Sequence, residues 1–592
     1  MACVTCRGER RRAGERQHSR RTVLRGALAL GISGKAVSAV PASAQDATPA
    51  GETVNQATGV PAYIPEPDTE ILMPISEPLT PETVTFRVLM VSSDEVTDYD
   101  DNAFTKWLEG KTNVHVQWDL VPEDDVQSKL NVMLASGDIP DIIFGAVNPS
   151  QLLLYGSQGL FLPLNDLIPE NGPRATKLME VQPVVRDVIT APDGTIYAMP
   201  GFGECYHCTM NQKLWLYKPW LDKLGLAIPT TTDEFEAVLR AFKEQDPNGN
   251  GQADEIPLSG AIGDANTRLP SYLMNAFIYN PGPLLGDNEA QPRLLIVLDG
   301  KITAVYATPQ WREGLRYLNR LYAQGLIDPQ IFSQDEDALQ RLGNNPDEVI
   351  LGAILGGSAG SAVSIEREPG ARWTEYVPVP PLAGPEGVRY AAWNPYLPAF
   401  PAAAITKACQ NPALAVAWID TLLWQEATLR EDRGPLDEDW RWALEGEIDV
   451  VGGQALWKLL VIHDQPTNQS WQGTGPLYFS RRMFSGIAVD PEAIDLNLEK
   501  ILHDATANDY EPYKQPQEMT LPPLAFTNEQ AIAIADPEAT IGQFVQQMLA
   551  QFVRGETDLD AGWDSYLATL EGMGLAPYLQ IYQDVYDAKY GQ

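Results

Sequence analysis

Val84-Thr85-Phe86-Arg87-Val88-Leu89-Met90-Val91 opens the stretch whose order of elements decides the fold. It is rich in β-branched and large apolar residues and reads as a strand. A short helix is expected near Phe104 to Glu109, then a second strand at Val114-His115-Val116-Gln117-Trp118. Val126, Leu130, Val132, Met133 and Leu134 mark another helix. Ser136-Gly137-Asp138-Ile139-Pro140-Asp141 makes a turn before a third strand, Ile142-Ile143-Phe144. Strands alternating with helices mean a parallel sheet in a doubly wound α/β domain. Ligands on such sheets sit beyond the carboxyl ends of the strands, here near Ser92–Tyr99 and Gly145–Asn148.

Upstream the composition changes. Residues 45–82 are rich in Pro, Thr, Ala and acids and read as an extended linker. Residues 1–44 carry nine basic and two acidic side chains, a net of +7. Ser19-Arg20-Arg21-Thr22-Val23-Leu24-Arg25 has the twin-arginine form, a short apolar run spans Ala27 to Ile32, and Ala42-Ser43-Ala44 offers a cleavage site. Together these predict a twin-arginine signal peptide and an exported, extracytoplasmic protein. The apolar run is too short to span a bilayer. The 592-residue chain has a formal net charge of -37, so the part after residue 44 is near -44 (−37 less +7). Such an acidic body argues against nucleic acid as a partner, because that affinity comes largely from neutralising phosphates. It favours a neutral or cationic solute over an acidic sugar.

Downstream, Asp246-Pro247-Asn248-Gly249-Asn250-Gly251-Gln252-Ala253-Asp254-Glu255 places oxygen-bearing side chains at every second position. Calcium takes six or more oxygens at about 2.3–2.6 Å. A loop coiled round the ion with alternate side chains inward would supply them. The beginning matches the EF-hand pattern, but the twelfth position is Pro257, where that motif has a bidentate Glu. The expected ligands of a structural Ca2+ are the side chains of Asp246, Asn248, Asn250, Asp254 and Glu255, with the backbone carbonyl of Gln252. The competing explanation is a solvated Asn/Gly turn. Before the loop, Thr231-Thr232-Asp233-Glu234 reads as a capping box, and Phe235, Val238, Leu239 and Phe242 give the following helix one buried face.

A resemblance runs through these segments. Phe104-Thr105-Lys106-Trp107-Leu108-Glu109, Ala135-Ser136-Gly137-Asp138-Ile139-Pro140-Asp141 and Asp193-Gly194-Thr195-Ile196-Tyr197-Ala198-Met199-Pro200 come first. Trp220-Leu221-Asp222-Lys223-Leu224-Gly225-Leu226, Gly325-Leu326-Ile327-Asp328-Pro329 and Asn411-Pro412 follow, and then Gly562-Trp563-Asp564-Ser565-Tyr566 and Met573-Gly574-Leu575. Each word is weak, but their order from about residue 83 to the end resembles the extracellular solute-binding proteins of carbohydrate ABC importers. Within these it is similar to the oligosaccharide-binding branch that carries a structural calcium site. The resemblance implies a two-lobed periplasmic-binding-protein-like fold of type II, with discontinuous lobes joined by hinge crossings. It implies a monomer that hands an oligosaccharide-like solute to an ABC permease. Crossings are expected near Tyr197–Pro200, Val377–Pro381 and Gly434–Pro435. The N-terminal lobe would then be 83–198 with 384–430, and the C-terminal lobe 199–383 with 431–592. Many relatives carry a lipid-anchoring Cys after the signal; Cys3 and Cys6 precede the apolar run, so no lipid anchor is expected.

Cys205-Tyr206-His207-Cys208 is a C-x-x-C pair that an exported protein can hold as a disulfide or as inert thiols. Zinc would need two more ligands, and a redox role a thioredoxin-like context. Gly356-Gly357-Ser358-Ala359-Gly360 fits G-x-S-x-G after an apolar strand, the form of a hydrolase nucleophile turn. A secreted serine hydrolase using Ser358, with Asp432 and His463 or His503, is therefore the alternative function. Pro369 and Gly370 leave little room for the helix such a turn needs, so the expectation is a binder and not an enzyme. Sugars present hydroxyls and apolar C–H faces, which call for aromatic platforms beside amides and carboxylates. Tyr99, Trp393, Tyr396, Trp471 and Tyr478 are the candidate platforms, and Asn148, Asn394 and Glu204 the candidate polar contacts.

Overall fold

The computed structural model describes residues 74–75 and 78–590 apart from 123–124, 148, 283–292, 367, 397, 462, 464 and 494–496, with the backbone of two short strands at 54–55 and 60–61. The signal-peptide reading of 1–44 and most of the linker lie outside the described residues.

Strand β1 (Val84–Val91) pairs in parallel with β2 (Val114–Val121) and β3 (Ile142–Phe144). The two intervening helices are Ala103–Thr112 and Val126–Ser136, as the pattern predicts. Asn102 caps the first through its side-chain oxygen, and Gly137, at φ 78, ends the second. Val132 is an exception: it is 63 % exposed, on the solvent side of a helix whose core face is Leu130, Met133 and Leu134. The chain continues into β4 (Met199–Gly203), then leaves this sheet. β5 (Leu214–Tyr217), β6 (Ile256–Ser259), β7 (Leu351–Leu355) and β8 (Tyr376–Val379) form a second sheet in the order β8-β5-β7-β6. β9 (Ala399–Ile405) and β10 (Tyr478–Phe479) return to the first, which reads β10-β4-β9-β3-β1-β2.

Each sheet has its own core. In the first, Phe86 and Phe144 pack their rings on Trp418 of helix Pro412–Leu422. In the second, helix Thr232–Glu244 buries Phe235, Val238, Leu239 and Phe242, the face expected from spacing. Thr231 caps it by accepting the Glu234 N–H, while the Glu234 carboxylate reaches back to Thr230. The C-terminal helices Asn528–Arg554, Leu559–Gly572 and Leu575–Tyr590 join the second core.

The expected lobe boundaries are corrected in three places. Met199–Pro200 still pair within the first sheet, so the first crossing is 204–213. Val377 and Val379 pair with β5, so the second crossing is 380–398. At Gly434–Pro435 the chain does not cross: Gly434 turns it back, and Trp440, Trp457, Trp471 and Met483 fill the first core. The third crossing lies between helix Arg481–Ser485 and helix Leu498–Ala505, whose Leu498 belongs to the second core. The first lobe's return segment is thus about 399–485, not 384–430, and the second lobe closes with about 498–590, not 431–592. Proline and glycine mark where an element stops; long-range pairing decides which sheet the chain joins next.

Strand direction fixes where the lobes face each other. β1, β3, β4 and β10 run parallel, so Ser92, Gly145, Glu204 and Ser480 follow them at one edge. β6, β7 and β8 likewise end at Gly260, Gly356 and Pro380. The first two crossings join these two carboxyl edges, where α/β sheets bind ligands.

Candidate functional site

The loop after helix Thr232–Glu244 has the shape its sequence demands. Asp246, Gly249 and Gly251 all take positive φ, and a Cβ on Gly249 would stand 2.8 Å from Lys223 Nζ. The Asp246 carboxylate accepts the N–H groups of Gly249 and Gly251 at 2.8 and 3.0 Å. Asn248 and Asn250 each accept the N–H two residues on and donate their amides to Asp254 at 2.9 and 3.0 Å. Lys223 holds the loop's entry through the Pro247 carbonyl at 2.8 Å. The informative group is Glu255. Both its carboxylate oxygens are shielded from solvent and receive no well-formed hydrogen bond, only the nearby backbone N–H groups of Asn248 and Glu255. Burial raises the Glu255 carboxyl above its usual range, and the charges of Asp254 and Asp246 raise it further. A solvent-shielded carboxylate with weak donors only is costly. An oxygen-rich set containing one fits a hard divalent cation, which would satisfy it.

The crossings carry a second constellation. Glu204 opens the first crossing, and its N–H donates to Phe479 O at 2.8 Å. Its carboxylate pairs with Arg481 at 2.7 Å, and the Arg481 guanidinium lies 5.1 Å from the Tyr206 ring centre. The Tyr206 hydroxyl donates to Glu511 Oε2 at 3.2 Å. Burial and the Glu511 charge push Tyr206 up to about 12, so it remains a neutral donor. Glu511 also pairs with Lys514, whose ammonium sits 4.7 Å from the Trp393 ring centre. Gln515 clamps Trp393, accepting its N–H at 2.9 Å and donating to its carbonyl at 2.6 Å. Asn394 N–H donates to Thr209 O at 2.8 Å, tying the second crossing to the first. Asn394 and Tyr396 line a pocket between the lobes with Asp187, Tyr197, Arg293 and Phe526.

Of the sequence-predicted solute contacts, Glu204, Trp393, Asn394 and Tyr396 lie on the crossings, half-buried. Asn148 lies outside the described residues. Tyr99, Trp471 and Tyr478 are corrected: they are 3 %, 0 % and 2 % exposed, core rings with no face for a solute. Tyr99 accepts Ser93 N–H through its hydroxyl, and Tyr478 stacks on Phe202. Trp471 also belongs to the first lobe, not the second. Sequence reasoning missed Tyr206, Arg481, Glu511 and Lys514. The one available signal was the short word Glu511-Pro512-Tyr513-Lys514, one tyrosine between opposite charges beside a proline.

Ser358 follows β7 at the second sheet's carboxyl edge, yet it is fully buried. Its Oγ accepts Gly360 N–H at 3.1 Å and caps a short 3-10 turn. The nominated partners are engaged elsewhere: Asp432 with Arg433, His463 with Asp439, His503 with Asp504. Cys205 and Cys208 are joined as a disulfide on the first crossing. That consumes both sulfurs of the one Cys/His cluster found among the described residues, which also contains His207. No helix among the described residues is long and apolar enough to cross a membrane.

Comparison with known proteins adds to this geometry. The profile of the bacterial extracellular solute-binding protein family matches residues 93–428. The fructooligosaccharide ABC transporter substrate-binding protein FusA of Streptococcus pneumoniae is 28 % identical over 539 residues, 89 % of this chain and 92 % of that protein. The structure of S. pneumoniae FusA with kestose has a TM-score of 0.70 at 26 % identity, over 85 % of this chain and 99 % of that one. An EF-hand mutant of FusA with fructo-nystose has a TM-score of 0.69 at 27 % identity, with the same coverage.

Proposed function

Because the chain belongs to the bacterial extracellular solute-binding protein family, we propose that it takes up a neutral, fructooligosaccharide-like solute at the crossings between its lobes. It captures an oligosaccharide and delivers it to an ABC permease, as its relatives' role supports. The observation that carries the neutral-sugar reading is the charge balance of the constellation: Arg481 is matched by Glu204 and Lys514 by Glu511. Matched pairs give a sugar hydroxyl both donors and acceptors, and in each pair the cation already has its carboxylate. Trp393 supplies the stacking ring, and Glu204, Asn394 and Tyr396 line the approach. The protein acts by binding and not by catalysis, works as a monomer, and leaves the cytoplasm through the twin-arginine sequence at Ser19–Arg25.

Calcium belongs to this reading as a structural ion. Asp246, Asn248, Asn250, Asp254 and Glu255 would hold it with the Gln252 carbonyl. Bound there, it neutralises the carboxylates and fixes the loop that links helix Thr232–Glu244 to β6.

Calorimetric titration with kestose tests the solute assignment. Trp393→Ala is expected to raise the dissociation constant about ten-fold or more, since burying an aromatic ring contributes roughly 1–3 kcal/mol and 1.4 kcal/mol is a factor of ten. Wild-type affinity in Trp393→Ala would remove that ring from the site.

A further inference from the structure

Two cations stand over two aromatic rings of the crossings. Arg481 covers Tyr206 at 5.1 Å and Lys514 covers Trp393 at 4.7 Å. The Arg481 side chain is 55 % exposed and that of Lys514 38 %, so water reaches both cations. Each is tethered by a carboxylate, Glu204 or Glu511, and Glu511 also accepts the Tyr206 hydroxyl. The result is one continuous chain of contacts, Glu204–Arg481–Tyr206–Glu511–Lys514–Trp393. It runs from the first lobe's carboxyl edge to the second crossing.

We propose that Arg481 and Lys514 are specificity-determining residues that occupy the Tyr206 and Trp393 faces until a neutral solute displaces them. The inference rests on the reading of the crossings as an oligosaccharide site. The apolar C–H face of a sugar ring stacks on an aromatic face, and the same face attracts a cation through its quadrupole. One ring face cannot hold both. Binding therefore replaces a cation–π contact by stacking, while the tethering carboxylate keeps the displaced cation in water at the rim. A ligand without an apolar ring face gains nothing from the exchange and is selected against. Salt weakens exposed cation–π and ion-pair contacts, so affinity for a neutral sugar rises with ionic strength. A site holding an acidic sugar on open cations would behave in the opposite way.

The test is a calorimetric titration with kestose at fixed calcium, using wild type, Lys514→Met, Lys514→Arg and Arg481→Met. An exposed cation–π contact of ordinary strength corresponds to about a two- to five-fold change in affinity. Lys514→Met and Arg481→Met are each expected to bind kestose more tightly by that factor, and Lys514→Arg to match wild type. Unchanged or weaker binding in both Met variants would overturn the proposal. A second readout needs no sugar. Acrylamide quenching of Trp393, taken as the difference from Trp393→Phe, should increase in Lys514→Met. Unchanged quenching would show that Lys514 does not cover the ring. If kestose binds none of these proteins, the fructooligosaccharide assignment fails, and quenching still decides the covering by Lys514.

Discussion

Trp471→Ala is expected to destabilise the protein by about 3–5 kcal/mol, the usual cost of emptying a buried aromatic site. The ring is fully buried, meets Phe104 and Trp118 edge-on at 4.7 and 5.1 Å, and donates its indole N–H to Thr105 Oγ1 at 2.8 Å. Its backbone N–H donates to Glu431 O at 2.9 Å, and the Glu431 carboxylate accepts Gly475 N–H at 2.8 Å. The loop is thus pinned at both ends, and the cavity left by alanine has few neighbours free to collapse into it. A loss of this size is a large fraction of ordinary domain stability. It corresponds to a fall in melting temperature of roughly 6–20 °C for a lobe of this size. Trp471→Phe keeps most of the packing and loses the hydrogen bond, worth about 1 kcal/mol. Differential scanning calorimetry separates the two variants. An unshifted transition in Trp471→Ala, combined with collapsed kestose affinity, would make the ring a solute platform after all.

The proposed calcium site carries the second large expected effect. An ion that binds only the folded chain stabilises it by about 2.7 kcal/mol when present at a hundred times its dissociation constant. Chelation should therefore lower the melting temperature, and added calcium should restore it. Asp246→Ala removes the group that organises the loop through Gly249 and Gly251 and should abolish the response. Glu255→Gln should do so too, but by another route. It removes the charge of a solvent-shielded carboxylate that sits beside Asp254 and Asp246, so the metal-free form of this variant is expected to melt above metal-free wild type. A calcium response of wild-type size in both variants would place the ion elsewhere.

Different parts of this architecture were legible in the sequence to different degrees, for physical reasons. The β1-to-β3 segment was readable because local periodicity and caps such as Asn102 and Gly137 declare it. The shape of the loop after helix Thr232–Glu244 was readable because its Asp, Asn and Gly residues fall within ten consecutive positions. Lobe membership was not, since it depends on pairing between distant strands. Pro435 looks like any hinge proline until Trp440, Trp457 and Trp471 are seen in the first core. The same limit misplaced the aromatic candidates. Trp471 is hidden by a hydroxyl 366 residues away, which no spacing rule reveals. Tyr206, Arg481, Glu511 and Lys514 meet only because the first crossing, the helix before the third crossing and the segment after it converge, so none belongs to a recognisable local motif.

Small-angle scattering with kestose tests the central claim, capture between two lobes, most directly. A solute favours closure only by contacting both lobes, and hinge motion is absorbed by the few residues that connect them. At kestose saturation established by calorimetry, the radius of gyration of the wild type is expected to fall. At the same kestose concentration Trp393→Ala should show a smaller fall, in proportion to its lower occupancy. An unchanged radius of gyration in the saturated wild type would contradict capture by closure of the two lobes.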